Sequence, residues 1–260
     1  MKIPKYVEGH QLLANKSVLI TAAAGSGIGF AAAKKAVEEG CRALVISDIH
    51  EGRLLASVDK LKIVAPDTAI LGKVCNVTEQ SQVDALIKEA EAFTNGVDVL
   101  INNAGLGGSK PLVEMSDSEW YTVLDVTLTG TMRMMRAQLP YFISRKGGVI
   151  INNASVLGWR AQAEQSHYAA AKAGVMALTR CVAMEAAPHQ IRINAVSPSI
   201  AMHDFLKKSA PEDLLNRLSE REAFGRAAEV WEIANVMMFL ASDYSSYMTG
   251  EVVSVSSQHA

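Results

Sequence analysis

The feature that most limits what this chain can fold into is a series of short, unbroken apolar runs separated by helix-patterned segments. The runs are residues 17–21 (SVLIT), 43–47 (ALVIS), 70–75, 97–101 (VDVLI), 148–152 (GVIIN), 191–196 and 251–255. None alternates polar with apolar, so each is expected to be buried on both faces, as strands are in a parallel sheet covered by helices. Between them, segments 28–39, 54–64, 79–93, 119–139, 168–186 and 230–241 read as helices, the first stopped by Gly40. A polar and mixed stretch fills the gap from the sixth run to about residue 227. This order predicts the α/β class, a Rossmann-type doubly wound parallel sheet, and 260 residues suit a single domain of that kind.

Composition narrows the partners. With 25 Lys and Arg against 27 Asp and Glu, the net charge of −2 gives no field that would gather nucleic acid. Residues 1–16 carry charges and no apolar core of the secretory kind, and no run of 18 apolar residues spans a membrane, so a cytoplasmic protein is expected. Cys41, Cys75 and Cys181 lack metal-ligand spacing. They are expected as small core side chains in a reducing compartment, with no metal site.

In a doubly wound sheet, ligands bind at the carboxyl ends of the strands. Asp48, Asn76, Gly105 and Ser155 all fall there. The run Gly25-Ser26-Gly27-Ile28-Gly29 lies between the first strand and first helix, where backbone N–H groups can meet a pyrophosphate. The same glycines would equally serve a tight turn. Asp48 follows Gly29 by 19 residues, near the separation of about 20 expected for a carboxylate that binds a ribose 2′-OH and repels a 2′-phosphate. NAD is therefore expected over NADP, although Asp48 could be a plain strand-end cap and His50 and Arg53 could accommodate a phosphate. Tyr168 and Lys172 share one helix face. There an ammonium can stabilise a phenolate and lower a pKa that is ordinarily about 10. Ser155 precedes Tyr168 by 13 residues, so hydroxyl and phenol can converge on one carbonyl oxygen. Proton transfer beside a dinucleotide is alcohol/ketone oxidoreductase chemistry.

These motifs are joined by 102–105 (NNAG), 192–198 (RINAVSP) and 239–250 (FLASDYSSYMTG). Over nearly its whole length the chain resembles the short-chain dehydrogenase/reductase family. The resemblance implies a cofactor half over about 15–150 and a catalytic and substrate half over about 151–260. It implies that Tyr168 is the general acid or base, that Ser155 polarises the substrate oxygen, and that Lys172 lowers the tyrosine pKa and holds the nicotinamide ribose. Asn103, Ala104 and Gly105 would line the adenosine side, Asn76 and Val77 the adenine, and Ala201 the carboxamide.

The chain also departs from the family. Its phosphate loop is one residue longer than T-G-x-x-x-G-x-G, with Ala22 in place of a glycine and Gly25 added. Thr127, within 126–130 (VTLTG), replaces the asparagine of the catalytic tetrad. Its hydroxyl is expected either to hold a water beside Lys172 or to bond back to the helix carbonyl four residues earlier. Ser199 replaces a glycine, and His203 stands where a threonine often meets the carboxamide.

Substrate choice in the family comes from the segment here at about 202–223 and from the loop after Ser155. Candidate substrate residues are Trp159, Arg160, His203 and Phe205. Apolar Leu206, Leu214 and Leu218 stand beside Lys207, Lys208 and Arg217, a mixture suited to an acyl-CoA or to an ordinary amphipathic surface. The strings 102–108 (NNAGLGG), 153–162 (NASVLGWRAQ) and 197–201 (SPSIA) resemble one actinobacterial branch that acts on the CoA thioester of the steroid C/D-ring remnant in cholesterol breakdown. That implies NAD-linked oxidation of a ring hydroxyl, or its reverse. The alternatives are a 3-oxoacyl-(acyl carrier protein) reductase using NADPH, which Asp48 opposes, and a catalytically silent NAD-binding scaffold, for which only Thr127 speaks. The apolar run 230–255 implies a homotetramer by the same resemblance, or else packs the chain's own sheet.

Overall fold

The computed structural model describes residues 1–209 and 212–257, with the backbone alone for Phe205, Lys208 and Ser209. The strands are β1 (Ser17–Ile20), β2 (Ala43–Asp48), β3 (Ala69–Val74), β4 (Val99–Asn102), β5 (Gly148–Asn153), β6 (Ile191–Pro198), β7 (Ala201–Met202), β8 (Ala228–Glu229) and β9 (Val252–Val255). The helices are α1 (Ile28–Glu38), α2 (Glu51–Val64), α3 (Gln80–Thr94), α4 (Asp117–Leu124), α5 (Gly130–Arg145), α6 (Ser166–Ala186), α7 (Asp204–Ser209), α8 (Glu212–Glu220) and α9 (Val230–Ala241). Seven strands form one parallel sheet in the order β3-β2-β1-β4-β5-β6-β9, and β7 pairs with β8 beside it. The chain winds outward from β1 in one direction and from β4 in the other. The switch point therefore lies between β1 and β4, and its crevice opens at their carboxyl ends.

The lack of alternation in the sequence has a direct cause. Val18, Ile20, Leu44, Ile46, Val99 and Ile101 enter one core, with side chains from α1, α2 and α9. Leu19, Val45, Leu100 and Ile150 enter the other, with α3, α5 and α6. Each such side chain contributes about 1.5–3 kcal/mol when fully buried, so a strand apolar on both faces is held from both sides.

The segment expected as one helix over 119–139 is two helices joined by a π-helical turn, Asp125–Thr129. Ser116 opens α4 with a capping box closed by Glu119. Beyond the turn, α5 runs through Pro140 to Arg145. Proline removes one helix bond, but tertiary contacts hold the last turns: Phe142 is fully buried and Arg145 clamps Glu91 Oε2 at 2.6 Å and the Val97 carbonyl at 2.7 Å. The polar stretch after β6 holds α7, α8 and the β7–β8 pair.

Cys41 and Cys75 are buried as expected, and burial raises both thiols, to about 12 and about 11. Cys181 is exposed on α6, which corrects the expectation of a core position. In the C-terminal run, Met237, Met238 and Leu240 fill the chain's own core, whereas Tyr244 and Tyr247 face outward. Residues 6–12 lie along the end of α1. There Lys35, buried, donates to the Val7 carbonyl at 2.6 Å, and Glu39 accepts the N–H groups of His10 (2.7 Å) and Leu12 (3.1 Å). Among the described residues, no helix is long and apolar enough to cross a membrane, and no three His, Cys, Asp or Glu side chains gather where they could hold a metal.

Candidate active site

The glycine run forms the turn from β1 into α1. Gly27 caps the helix without any side-chain bond, and no acidic residue stands in the first turn. The first N–H groups of α1 are thus free of a side-chain cap, and a Cβ on Gly25 or Gly27 would meet only open space. This is the open, partially positive end that a pyrophosphate needs. Gly29 faces the opposite constraint: a Cβ there would lie 2.3 Å from the Ala22 carbonyl oxygen and 2.4 Å from Asn103 Nδ2. Ala22 takes a left-handed φ of 49° where the family has glycine, and Gly25, at φ 95°, donates to Ser57 Oγ at 3.1 Å. The added residue is thus absorbed in the bulge between 22 and 25, leaving Ser26 exposed at its tip.

Asp48 ends β2, nearly buried. One carboxylate oxygen accepts the Ala24 N–H at 3.3 Å, and the other accepts the His50 N–H at 3.0 Å with Arg53 at 3.7 Å. Burial pushes this carboxyl above its ordinary range, against the pull of the Ala24 and Ile49 N–H groups and the Arg53 guanidinium. Asp48 therefore braces the phosphate loop as well as ending its strand, and the two roles share one side chain.

Thr21 closes the neighbouring strand end. Its hydroxyl accepts the N–H groups of Asn103 (3.0 Å) and Ala104 (3.1 Å), while Asn103 Nδ2 donates to the Ala22 carbonyl at 2.9 Å. Beneath them runs a ladder of buried polar side chains. Asn102 Nδ2 donates to Asn152 Oδ1, and Asn152 Nδ2 to Thr179 Oγ1, both at 2.9 Å; Thr179 in turn donates to the Val175 carbonyl at 2.8 Å. The ladder ties β4, β5 and α6 into one rigid floor.

On that floor the structure brings Ser155, Tyr168 and Lys172 together. Ser155 lies just past β5, Tyr168 on the first turn of α6 and Lys172 one turn later. The Ser155 hydroxyl and Tyr168 phenol are hydrogen-bonded to each other. Lys172 Nζ donates to the Asn153 carbonyl at 2.5 Å and stands 5.6 Å from the centre of the tyrosine ring. Only 3 % of Lys172 is exposed, and burial lowers its pKa to about 8. The expected depression of the tyrosine is corrected here. Burial raises the Tyr168 phenol above its ordinary value, and the Ser155 bond is what opposes it.

Thr127 spends its hydroxyl on a loop backbone rather than on the helix carbonyl four residues earlier. The π turn aims its fully buried hydroxyl at the loop after β4, where it accepts the Leu106 N–H at 3.0 Å and donates to the Leu106 carbonyl at 3.2 Å. It thus anchors the loop that carries Gly105. That glycine passes close to the site, for a Cβ there would lie 3.3 Å from Lys172 Nζ and 3.8 Å from Thr127 Cγ2.

The other expected residues are placed as follows. Asn76 spends its side-chain oxygen on the Thr78 N–H at 3.1 Å, and Val77 is buried against the position of Gly130. Ala201, buried, begins β7. His203 Nδ1 accepts the Leu206 N–H at 3.3 Å, and burial lowers the histidine pKa against the opposing charge of Asp204. Trp159 is half exposed and Arg160 partly buried on the loop after β5. The Phe205 side chain lies outside the described residues. Reasoning from sequence missed Asn153, Ser57 and the Thr21 bridge. Of these only Thr21, as the polar end of an apolar run, carried a local signal.

The family model described as Enoyl-(Acyl carrier protein) reductase matches residues 22–257. The chain is 59 % identical over 261 residues to the (5R,7aS)-5-hydroxy-7a-methyl-1-oxo-2,3,5,6,7,7a-hexahydro-1H-indene-carboxyl-CoA reductase of Mycobacterium tuberculosis, covering 98 % of this chain and 97 % of that one. It is 36 % identical over 250 residues to the 3-oxoacyl-[acyl-carrier-protein] reductase FabG of Thermotoga maritima, covering 94 % and 97 %. Among solved structures, a short chain dehydrogenase from Mycobacterium smegmatis aligns with a TM-score of 0.89 at 56 % identity, covering 100 % of this chain and 99 % of the other.

Proposed function

This chain belongs to the short-chain dehydrogenase/reductase family, and from that premise we propose that it interconverts a secondary alcohol and a ketone on the ring of a steroid-derived CoA thioester, with NAD as the hydride carrier. The observation that carries the chemistry is the hydrogen-bonded Ser155–Tyr168 pair with buried Lys172 one helical turn behind it. The substrate class rests on the Mycobacterium tuberculosis relative, whose name gives it a hydroxylated bicyclic CoA thioester.

The nicotinamide, when bound, accepts or supplies the hydride at the carbinol carbon. The protein handles the proton and the geometry. Tyr168 gives its phenolic proton to the carbonyl oxygen in reduction and takes it back in oxidation. Ser155 donates to the same oxygen, which fixes the reacting carbon in place and stabilises developing charge. Lys172 is held by the Asn153 carbonyl near the phenol, where its charge opposes the cost of a buried phenolate. Glycines 25, 27 and 29 with Ser26 and Ile28 would receive the pyrophosphate, Asp48 the adenosine ribose, and Asn103 to Gly105 the remaining face. Asn76 and Val77 would meet the adenine and Ala201 the carboxamide, with Trp159, Arg160, His203 and Phe205 on the substrate side. Thr127 acts through the Leu106 loop and touches neither ligand.

Asp48 supports NAD over NADP: a buried carboxylate at the end of β2 accepts ribose hydroxyls and repels a phosphate. Exposed Leu112, Val113, Tyr121, Tyr244 and Tyr247 suit subunit contacts in a cytoplasmic homotetramer, which light scattering would test. The deciding experiment is fluorescence titration of NADH and NADPH on the wild type and on Asp48→Ala, followed by turnover of the bicyclic hydroxy-CoA thioester. Tighter NADH binding that relaxes in the variant, with turnover, supports the proposal. Tighter NADPH binding by the wild type refutes it and favours the carrier-protein reductase, a reading that Arg53 beside Asp48 keeps chemically open.

A further inference from the structure

Beside Tyr168 the cleft has a wall that the proton chemistry does not use. It consists of the loop after β4, residues 103–111, and the loop after β5, residues 154–165. Glu164 joins the two. Its backbone carbonyl accepts the Lys110 N–H at 2.9 Å, and its carboxylate accepts the Ser109 hydroxyl at 2.5 Å. Glu164 sits at a φ of 65°, in the left-handed region that side chains other than glycine's rarely adopt, and these contacts between the two loops hold it there.

The strand of loop behind this joint lies directly on the site. A Cβ on Gly107 would be 3.8 Å from Tyr168 Cδ2, and one on Gly108 only 3.1 Å from Nε2 of buried His167. At its other end Leu106 is bound through both backbone groups to Thr127. Residues 106–110 are therefore fastened at each end. With Gly107 and Gly108 between the fastenings, an unfastened loop would sample many conformations.

We propose that Glu164 is a specificity-determining residue: by clasping Ser109 and Lys110 it makes two loops into one fixed wall that seats a large ring-bearing substrate against Tyr168. The inference rests on the proposed substrate class. A small ketone needs only the Ser155 and Tyr168 groups to be aligned. A fused ring with a thioester tail presents more surface to orient, and a preorganised wall spares the ordering cost at the moment of binding.

The test compares wild type with Ser109→Ala, Glu164→Ala, the double variant and Glu164→Gln, whose amide oxygen can still accept the serine bond. For each, kcat and KM are measured with the bicyclic CoA thioester and with cyclohexanone, alongside NADH affinity and hydrogen exchange across 103–111. The clasp predicts faster exchange and a KM for the thioester raised about tenfold, the loss of one hydrogen bond. It predicts kcat, the cyclohexanone parameters and NADH affinity within about twofold of wild type, a double variant no worse than either single one, and recovery in Glu164→Gln. Equal losses on both substrates, or an unchanged thioester KM, would overturn the assignment. Unchanged exchange would overturn the clasp alone, whereas a wild type that ignores the thioester would sink the substrate reading and this inference with it.

Discussion

Lys172 offers a way to measure how dry the active site is. Its ammonium, ordinarily at 10.5, titrates at about 8 in the folded protein because burial disfavours the charge. The folded value is the lower one, so between the two values the unfolded chain holds a proton that the folded chain has already released. Stability therefore rises with pH across that window, at up to about 1.4 kcal/mol per pH unit. Integrated from about pH 7 to about pH 9.5, the gain from this one group comes to about 2 kcal/mol. Lys172→Met has no such proton. The lost bond to Asn153 shifts its stability by a constant and leaves the slope untouched. Urea unfolding of both proteins at several pH values, stopped below the ordinary tyrosine range, gives the difference directly, since other groups cancel. A wild-type advantage that grows by about 2 kcal/mol is expected. A flat difference would mean that the ammonium is solvated and the site wet; a shrinking one would mean that it has an anionic partner.

Three further outcomes follow from the geometry. Tyr168→Phe should lose about 10²–10⁴-fold in turnover while keeping NADH affinity, read by steady-state kinetics and titration; a loss below tenfold would remove the phenol from proton transfer. Gly29→Ala places a methyl 2.3 Å from the Ala22 carbonyl oxygen. It should cost about 1–3 kcal/mol in thermal unfolding and weaken NADH binding, and an unchanged Tm would contradict the close packing. Thr127→Val keeps the side-chain shape but leaves both Leu106 backbone groups without the hydroxyl. It should cost about 1–2 kcal/mol in urea, and no loss would show that the anchor is dispensable.

The sheet was readable because its strands are buried on both faces, and that requirement writes itself as unbroken apolar runs. The convergence of Ser155, Tyr168 and Lys172 was readable because helix periodicity fixes Tyr168 relative to Lys172, and the end of β5 fixes Ser155. The π turn was not, since one extra residue in a helix leaves the apolar spacing nearly unchanged. That turn decides where Thr127 points, so its partner Leu106 was equally hidden. The helix expected to end at Leu139 runs on through Pro140, because Phe142 and Arg145 hold its last turns through contacts distant in sequence. Cys181 and Cys41 read alike as letters, and only the packing of α6 separates them. The tyrosine pKa went the other way because the depth of burial is a property of the whole fold.

The polar ladder beneath the cleft bears on how such an enzyme can change over generations. Asn102, Asn152 and Thr179 each spend a buried group on the next. Replacing any one alone strands its neighbour at a cost of about 1–3 kcal/mol, a large share of a protein's margin. Those three positions can drift only in concert, through intermediates that fold poorly. The exposed clasp above them, Ser109 with Glu164, carries no such penalty. Descendants of this chain would find new substrates by rewriting the rim, while the floor that aligns the chemistry is inherited intact.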